Sequence, residues 1–167
     1  DGVPRHVSMW DTLGDEAYDK LRPYAYRGAD AILLCYSVGR DGTMRGGGSV
    51  DSALDFWVAE ARANCPRAPV VLCATKIDLR ALHEKHAEAL PESARTAAPL
   101  ATLRKQGLAP VGATEGAAAA QRIGAAAYVE VSALSNEGLI AMAEQVTRVA
   151  LDARAARGAK SKKCQIL

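Results

Sequence analysis

Three short groups of residues have the types and spacing that a nucleotide site would need. Asp11-Thr12-Leu13-Gly14 follows an apolar run ending at Trp10. A carboxylate at such a place can hold the water shell of Mg²⁺, and a glycine lets a backbone N–H approach a terminal phosphate. Thr75-Lys76-Ile77-Asp78 follows a second apolar run. Aspartate accepts two hydrogen bonds from the N1–H and exocyclic amine of guanine, while the aliphatic stem of lysine lies along the base plane. Ser132-Ala133-Leu134 closes a third run, where the small Ala133 leaves a backbone N–H open to the guanine O6. Taken singly, the first group also reads as an ordinary strand-to-loop turn and the second as a solvated charged loop. Their occurrence in this order, at the ends of three successive runs, favours the nucleotide reading.

The elements that must position these groups follow from periodicity. Strands are predicted over residues 6–10, 31–37, 69–74 and 128–131, alternating with helical patterns. That alternation implies a parallel sheet with crossover helices, whose ligands sit at the carboxyl edge of the strands. The second and third runs are almost wholly apolar, as strands covered on both faces are. Val50, Ala53, Leu54, Trp57 and Ala61 recur at helical spacing, with Ser49 as N-cap, Asp51 in the first turn and a break at Pro66. Leu139, Met142, Ala143, Val146, Val149 and Ala150 share one face of a closing helix over residues 136–156. Residues 40–48 and 81–107 look inserted, the second interrupted by Pro91 and Pro99, and neither is expected in the core.

With 167 residues, 49% of them hydrophobic and 24% charged, the chain is one globular domain, which excludes disorder and fibres. Its longest apolar runs fall short of the roughly 18–20 residues of a membrane-spanning helix. The net charge of +2 is unevenly spread, because Arg154, Arg157, Lys160, Lys162 and Lys163 oppose only Asp152 near the C-terminus. A local basic excess argues against a broad nucleic-acid footprint and for a role of the tail. Cys35, Cys65, Cys73 and Cys164 show no disulfide spacing and no secretory leader opens the chain, which points to a reducing compartment. Cys65 has no base partner in the sequence and is assigned no catalysis. His83-Glu84-Lys85-His86 is one residue short of the zinc-binding H-E-x-x-H pattern and reads as a solvated helix face. Cys164-Gln165-Ile166-Leu167 forms a C-a-a-X box whose final leucine directs geranylgeranylation. One prenyl chain anchors weakly, so Lys160, Lys162 and Lys163 supply the second membrane signal.

In order along almost the whole chain, these residues resemble the Rho family of Ras-like small GTPases. Val7-Ser8-Met9-Trp10-Asp11-Thr12 with Tyr18-Asp19-Lys20-Leu21-Arg22-Pro23 is similar to that family's second switch. Asn64-Cys65-Pro66, the stretch from Thr75 through Leu79 into Arg80, and Ser132-Ala133-Leu134 follow in the family's order. Thr75 in place of the Asn of other Ras-like proteins, and the insert after Lys76-Ile77-Asp78, point to Rho rather than Ras or Rab. The resemblance implies an α/β fold, a three-layer P-loop NTPase-type G domain with a mostly parallel central sheet. This domain spans residues 1–150, and residues 151–167 form a basic tail with the prenylation box.

By the same resemblance the chain is a GTP/GDP switch in signal transduction. Asp11, Thr12, Leu13, Gly14, Thr75, Lys76, Asp78, Ser132, Ala133 and Leu134 bind the nucleotide, and Asp11 reaches Mg²⁺ through water. Effectors read the segment around Tyr18, Leu21 and Arg22, and exchange factors and activating proteins are further partners. Cys164 carries the lipid, placing the protein on the cytoplasmic face of membranes with a cytosolic pool, and no nucleic acid is a partner.

The chain departs from the family in three places. It contains no G-x-x-x-x-G-K-S/T, and Gly46-Gly47-Gly48-Ser49 lacks the lysine that would meet the phosphates. The resemblance therefore places the first strand, the phosphate loop and the first switch upstream of Asp1, with the first strand between the strands at His6 and Ala31. Without it, those strand edges are expected to be unpaired, and the chain alone to fold poorly and bind no nucleotide. Asp15 stands where the family carries the Gln that orients attacking water, and Leu13 where it carries Ala, so slow hydrolysis is expected. The alternative is a pseudo-GTPase, a membrane-tethered interaction scaffold that binds no nucleotide.

Overall fold

The computed structural model describes residues 4–12, 14–40, 50–85, 94–158 and 163–166. Strand β1 (His6–Met9) leads through a 3₁₀ turn (Glu16–Tyr18) and the short helix α1 (Arg22–Ala25) to β2 (Ile32–Ser37). There follow α2 (Val50–Asn64), β3 (Val70–Thr75), α3 (Asp78–Lys85), α4 (Ala94–Lys105), α5 (Ala113–Arg122), β4 (Ala127–Glu130), α6 (Leu139–Ala156) and β5 (Lys163–Ile166). β2, β3 and β4 form a parallel sheet in which Cys35 faces Cys73 and Cys73 faces Val129. Parallel neighbours need long crossovers, which α2 supplies between β2 and β3, and α3 to α5 between β3 and β4. β1 pairs in parallel with β5, and a parallel bridge between Ala31 and Ile166 joins the two sets of strands. All five strands therefore run the same way and share one carboxyl edge.

Successive strand residues face opposite sides, so β3 feeds two cores. Leu72 and Ala74 pack with Leu54 and Val58 of α2 and with Leu79, Ala119, Ala120 and Ile123. Val71 packs on the other side with Val146 and Ala150 of α6 and with Ile166. Burial on both faces is what the unbroken apolar run at residues 69–74 predicts. The end of α6 is tied to the start of β2, since the buried Asp30 accepts from Arg154 at 2.9 Å and from Arg157. Two of the basic residues assigned to the tail are thus committed inside the fold.

Several expectations need correction. The described end of the 81–107 segment is not peripheral, because Leu100 and Leu103 are wholly buried in the main core. Nor does Pro99 break this segment: α4 runs through it. Burying two leucines on the following turn offsets the hydrogen bond that the proline ring removes. The closing helix begins at Leu139 rather than 136, since Gly138 takes a left-handed φ of 72° and residues 133–137 turn ahead of it. At the gap between β1 and β2, expected to be open, β1 is paired with β5, while among the described residues β2 meets β5 through the bridge at Ala31 alone and stays an edge strand. α2 ends at Asn64 just ahead of Pro66 as predicted, while Ser49, Pro91 and residues 41–48 lie outside the described residues.

Candidate functional site

The base-side corner forms where β3 and β4 end. Thr75 Oγ1 donates to the carbonyl of Tyr36 at 3.0 Å, holding the end of β3 against β2. Lys76 then adopts a left-handed φ of 61°, which turns the chain so that α3 starts at Asp78. The Leu79 N–H donates to Lys76 O at 3.0 Å and the Ile77 N–H to Val131 O at 3.3 Å, locking this turn onto the end of β4. Ser132 is wholly buried; its Oγ donates to Asp78 Oδ1 at 2.5 Å and accepts from the Ser135 N–H at 3.2 Å. One hydroxyl therefore orients the Asp78 carboxylate and anchors the following loop. The close approach at Gly138 requires glycine, because a Cβ there would stand 2.1 Å from the Glu130 carbonyl oxygen at positive φ. Lys76, Ala133 and Leu134 are exposed at this corner, Leu134 by 69%. The structure thus gathers Thr75, Lys76, Asp78, Ser132, Ala133 and Leu134 from two separate strand ends.

Beneath the corner lies a network that sequence reasoning missed. Arg80 makes two 2.8 Å bonds to the Glu130 carboxylate and a third from Nε to Val111 O at 2.8 Å. Tyr128 donates to Glu130 Oε1 at 2.6 Å, and the Tyr36 and Tyr128 hydroxyls lie 3.1 Å apart. The Arg80 guanidinium holds the Glu130 carboxyl below its ordinary value, while burial and then the Glu130 contact push the Tyr128 phenol up. The only signal in the sequence was Arg80 following the Thr75–Leu79 stretch. Its partner lies 50 residues away.

On the other side of the sheet edge, Asp11, Thr12 and Gly14 are exposed and line a cavity of about 550 Å³ with Trp10, Trp57 and Cys35. Lys76, Asp78 and Ser132 do not border it, so the two halves of the predicted site are separate features here. Leu13 lies outside the described residues. Asp15 Oδ1 accepts from the Ala17 N–H at 2.9 Å, so this carboxylate caps the 3₁₀ turn behind it. Cys35 is exposed and Cys73 buried, and the Cys73 thiol, by hydrogen bonding, holds the Cys35 thiol below its ordinary value.

Tyr18 and Leu21 are 41% and 61% exposed, but Arg22, expected beside them on a partner-facing surface, is only 4% exposed. Its Nε donates to Glu60 Oε1 at 2.9 Å, its Nη2 pairs with Asp19, and its guanidinium sits 4.6 Å from the Trp57 ring centroid. Tyr26 donates to the same Glu60 oxygen at 2.8 Å. Arg22 is therefore an anchor holding α1 on α2. Cys164 lies in β5 opposite Val7. Among the described residues no group of three His, Cys, Asp or Glu is arranged to hold a metal ion, and no helix is long and apolar enough to cross a membrane.

Comparison with known proteins bears on this geometry. The Ras family model matches residues 1–152. The GTP-binding protein RHO1 of Candida albicans is 35% identical over the whole of this chain, which spans 74% of that protein. The Rho-related GTP-binding protein RhoB of Homo sapiens, and that of Mus musculus, are each 37% identical over 92% of this chain and 68% of theirs.

Proposed function

The chain belongs to the Ras family and is a Rho-like small GTPase, and from that premise we propose that its base-side corner recognises guanine. The observation that carries this reading is the Ser132 Oγ to Asp78 Oδ1 hydrogen bond. It aims a carboxylate beside exposed Lys76, where Asp78 accepts from the N1–H and amino group of guanine. The Lys76 stem covers the base plane, Thr75 and Leu134 flank it, and the Ala133 N–H meets O6. At the other end Asp11 and Gly14 belong to the phosphate side. An exposed carboxylate suits Mg²⁺, which keeps most of its waters and neutralises phosphate charge when bound. Exposed Tyr18 and Leu21 present the surface that effectors read, and exchange factors and activating proteins act on the same switch. Asp15, with its carboxylate turned to cap the Glu16–Tyr18 turn, makes hydrolysis slow. Lipidation at Cys164, with Lys160, Lys162 and Lys163, holds the protein on the cytoplasmic face of membranes.

Titration with fluorescent GDP and XDP, for the parent and Asp78→Asn, tests base recognition. The substituted amide loses one acceptor and gains a donor suited to the C2 carbonyl of xanthine. The expected outcome is guanine preference in the parent and its reversal in the variant. Equal affinities of the parent for both nucleotides would remove the assignment. A second reading is a membrane-tethered scaffold that binds no nucleotide. Binding of neither nucleotide by the parent would select that reading.

A further inference from the structure

The pairing of β2 with β3 sets two cysteines side by side. The register runs without a break from Ile32 opposite Val70 to Ser37 opposite Thr75, and within it Cys35 stands opposite Cys73. Register partners in neighbouring strands are about 4.8 Å apart at Cα, inside the roughly 4.4–6.8 Å that a disulfide spans. Both side chains leave the same face of the sheet, because Cys35 follows Leu33 by two residues and Cys73 follows Val71 by two, and Leu33 and Val71 both pack on the α6 side. The other two cysteines are placed elsewhere. Cys65 lies just past α2, its thiol donating to Ala29 O at 3.8 Å, and Cys164 lies opposite Val7. The hydrogen bond between the paired thiols lowers the Cys35 thiol and raises that of Cys73, which burial raises further, so Cys35 is the sulfur that ionises.

We propose that Cys35 and Cys73 are a dithiol modification site, which hydrogen peroxide closes into a cross-strand disulfide that clips β2 to β3 beneath the base-side corner. The Cys35 thiolate attacks one peroxide oxygen, the O–O bond breaks, and the departing hydroxide takes up the thiol proton as water, leaving a sulfenic acid on Cys35. The Cys73 sulfur then attacks that sulfur. An S–S bond forms as the S–O bond breaks, and the second hydroxide leaves as water with the Cys73 proton. Two thiols and one peroxide become one disulfide and two waters, the sulfurs being oxidised and the peroxide reduced. A small thiol in excess reverses the closure by exchange, as a transient disulfide in a reducing compartment requires. The clip falls one residue ahead of the Tyr36 carbonyl that accepts from Thr75 Oγ1, and the Val38 N–H donates to Thr75 O at 3.1 Å just beyond it. A covalent tie at that point resists the parting of the two strand ends that carry Thr75 into the corner.

The full chain, reduced and then given limiting hydrogen peroxide, tests the pair. Trypsin leaves Cys35, Cys65, Cys73 and Cys164 in separate peptides, so mass spectrometry reads which of them are joined. The Cys35–Cys73 link is expected to exceed every other pairing by about tenfold or more, and to lose that preference when the same oxidation is run in urea that unfolds the chain. No link, or the same preference in urea, overturns the proposal, because the folded register would then contribute nothing. In Cys73→Ala the sulfenic acid has no partner, so dimedone should label Cys35 about tenfold more than in the parent. Where that variant does not fold, Cys73→Val, which keeps a branched apolar side chain at the buried position, gives the same comparison. Equal labelling of parent and variant overturns the role of Cys73 in closing the bond. Amide exchange at Val38 is expected to slow by about tenfold on oxidation of the parent and to stay unchanged in the variant. Unchanged exchange in the oxidised parent overturns the tie to the corner.

Discussion

The base-side corner and the switch segment are two loop systems at the same sheet edge, and they are held in opposite ways. The corner is held by many small bonds: Thr75 to Tyr36, Ile77 to Val131, Ser132 to Asp78 and Ser135, and the Arg80, Glu130 and Tyr128 network below. The switch segment is held largely at Glu60, which takes buried Arg22 and the Tyr26 hydroxyl, with Arg22 also bonding Asp19 and stacking on Trp57. Ahead of it Asp11, Thr12, Gly14 and Asp15 are exposed. A surface that must present a fixed carboxylate to a base gains from distributed support. One that changes shape with its ligand gains from support concentrated at one point, here Glu60.

Three substitutions would break or sharpen this contrast. Arg22→Ala has the largest expected effect, a loss of about 3 kcal/mol, because it takes the cation from the half-buried Glu60, leaving it the Tyr26 hydroxyl, and empties the face of Trp57. Urea denaturation measures it, and a loss no greater than that of a corner substitution would erase the contrast. Glu130→Gln comes next, at about 1 kcal/mol near neutral pH, since the amide still accepts from Arg80 and Tyr128 but without charge. Its pH dependence has a definite sign. Arg80 holds the Glu130 carboxyl below its ordinary 4.5, so that contribution is present above the ordinary carboxylate range and is lost as pH falls through it. The gap between parent and Glu130→Gln should therefore close on acidification below about pH 4.5; a gap that persists would show that the carboxylate charge is not what matters.

Asp15→Gln has the smallest effect on stability, about 0.5 kcal/mol, since only the cap to Ala17 is lost. Its signature is kinetic instead. Single-turnover GTP hydrolysis by nucleotide-loaded protein should quicken by about tenfold or more once an amide replaces the carboxylate that caps the turn. An unchanged rate would show that the slow step lies elsewhere.

What the sequence alone determined is local or periodic. Four strands within a residue or two of their ends, the α2 pattern up to Pro66 and the clustering of Thr75, Lys76, Asp78 and Ser132 at strand ends all follow from short-range spacing. Apolar periodicity sets the element, and the element sets which residues reach the carboxyl edge. What only the tertiary structure decided depends on partners far apart in the chain. Arg22 reads as a surface cation until Glu60, 38 residues on, takes it into the interior. Leu100 and Leu103 read as part of an insert until the core closes over them. Glu130 reads as a strand end until Arg80 arrives from 50 residues away. The fate of Lys163–Ile166 is the clearest case. Four residues carry no periodicity of their own, so nothing in them announces the parallel pairing with β1 or the burial of Ile166 with Val71, Val146 and Ala150.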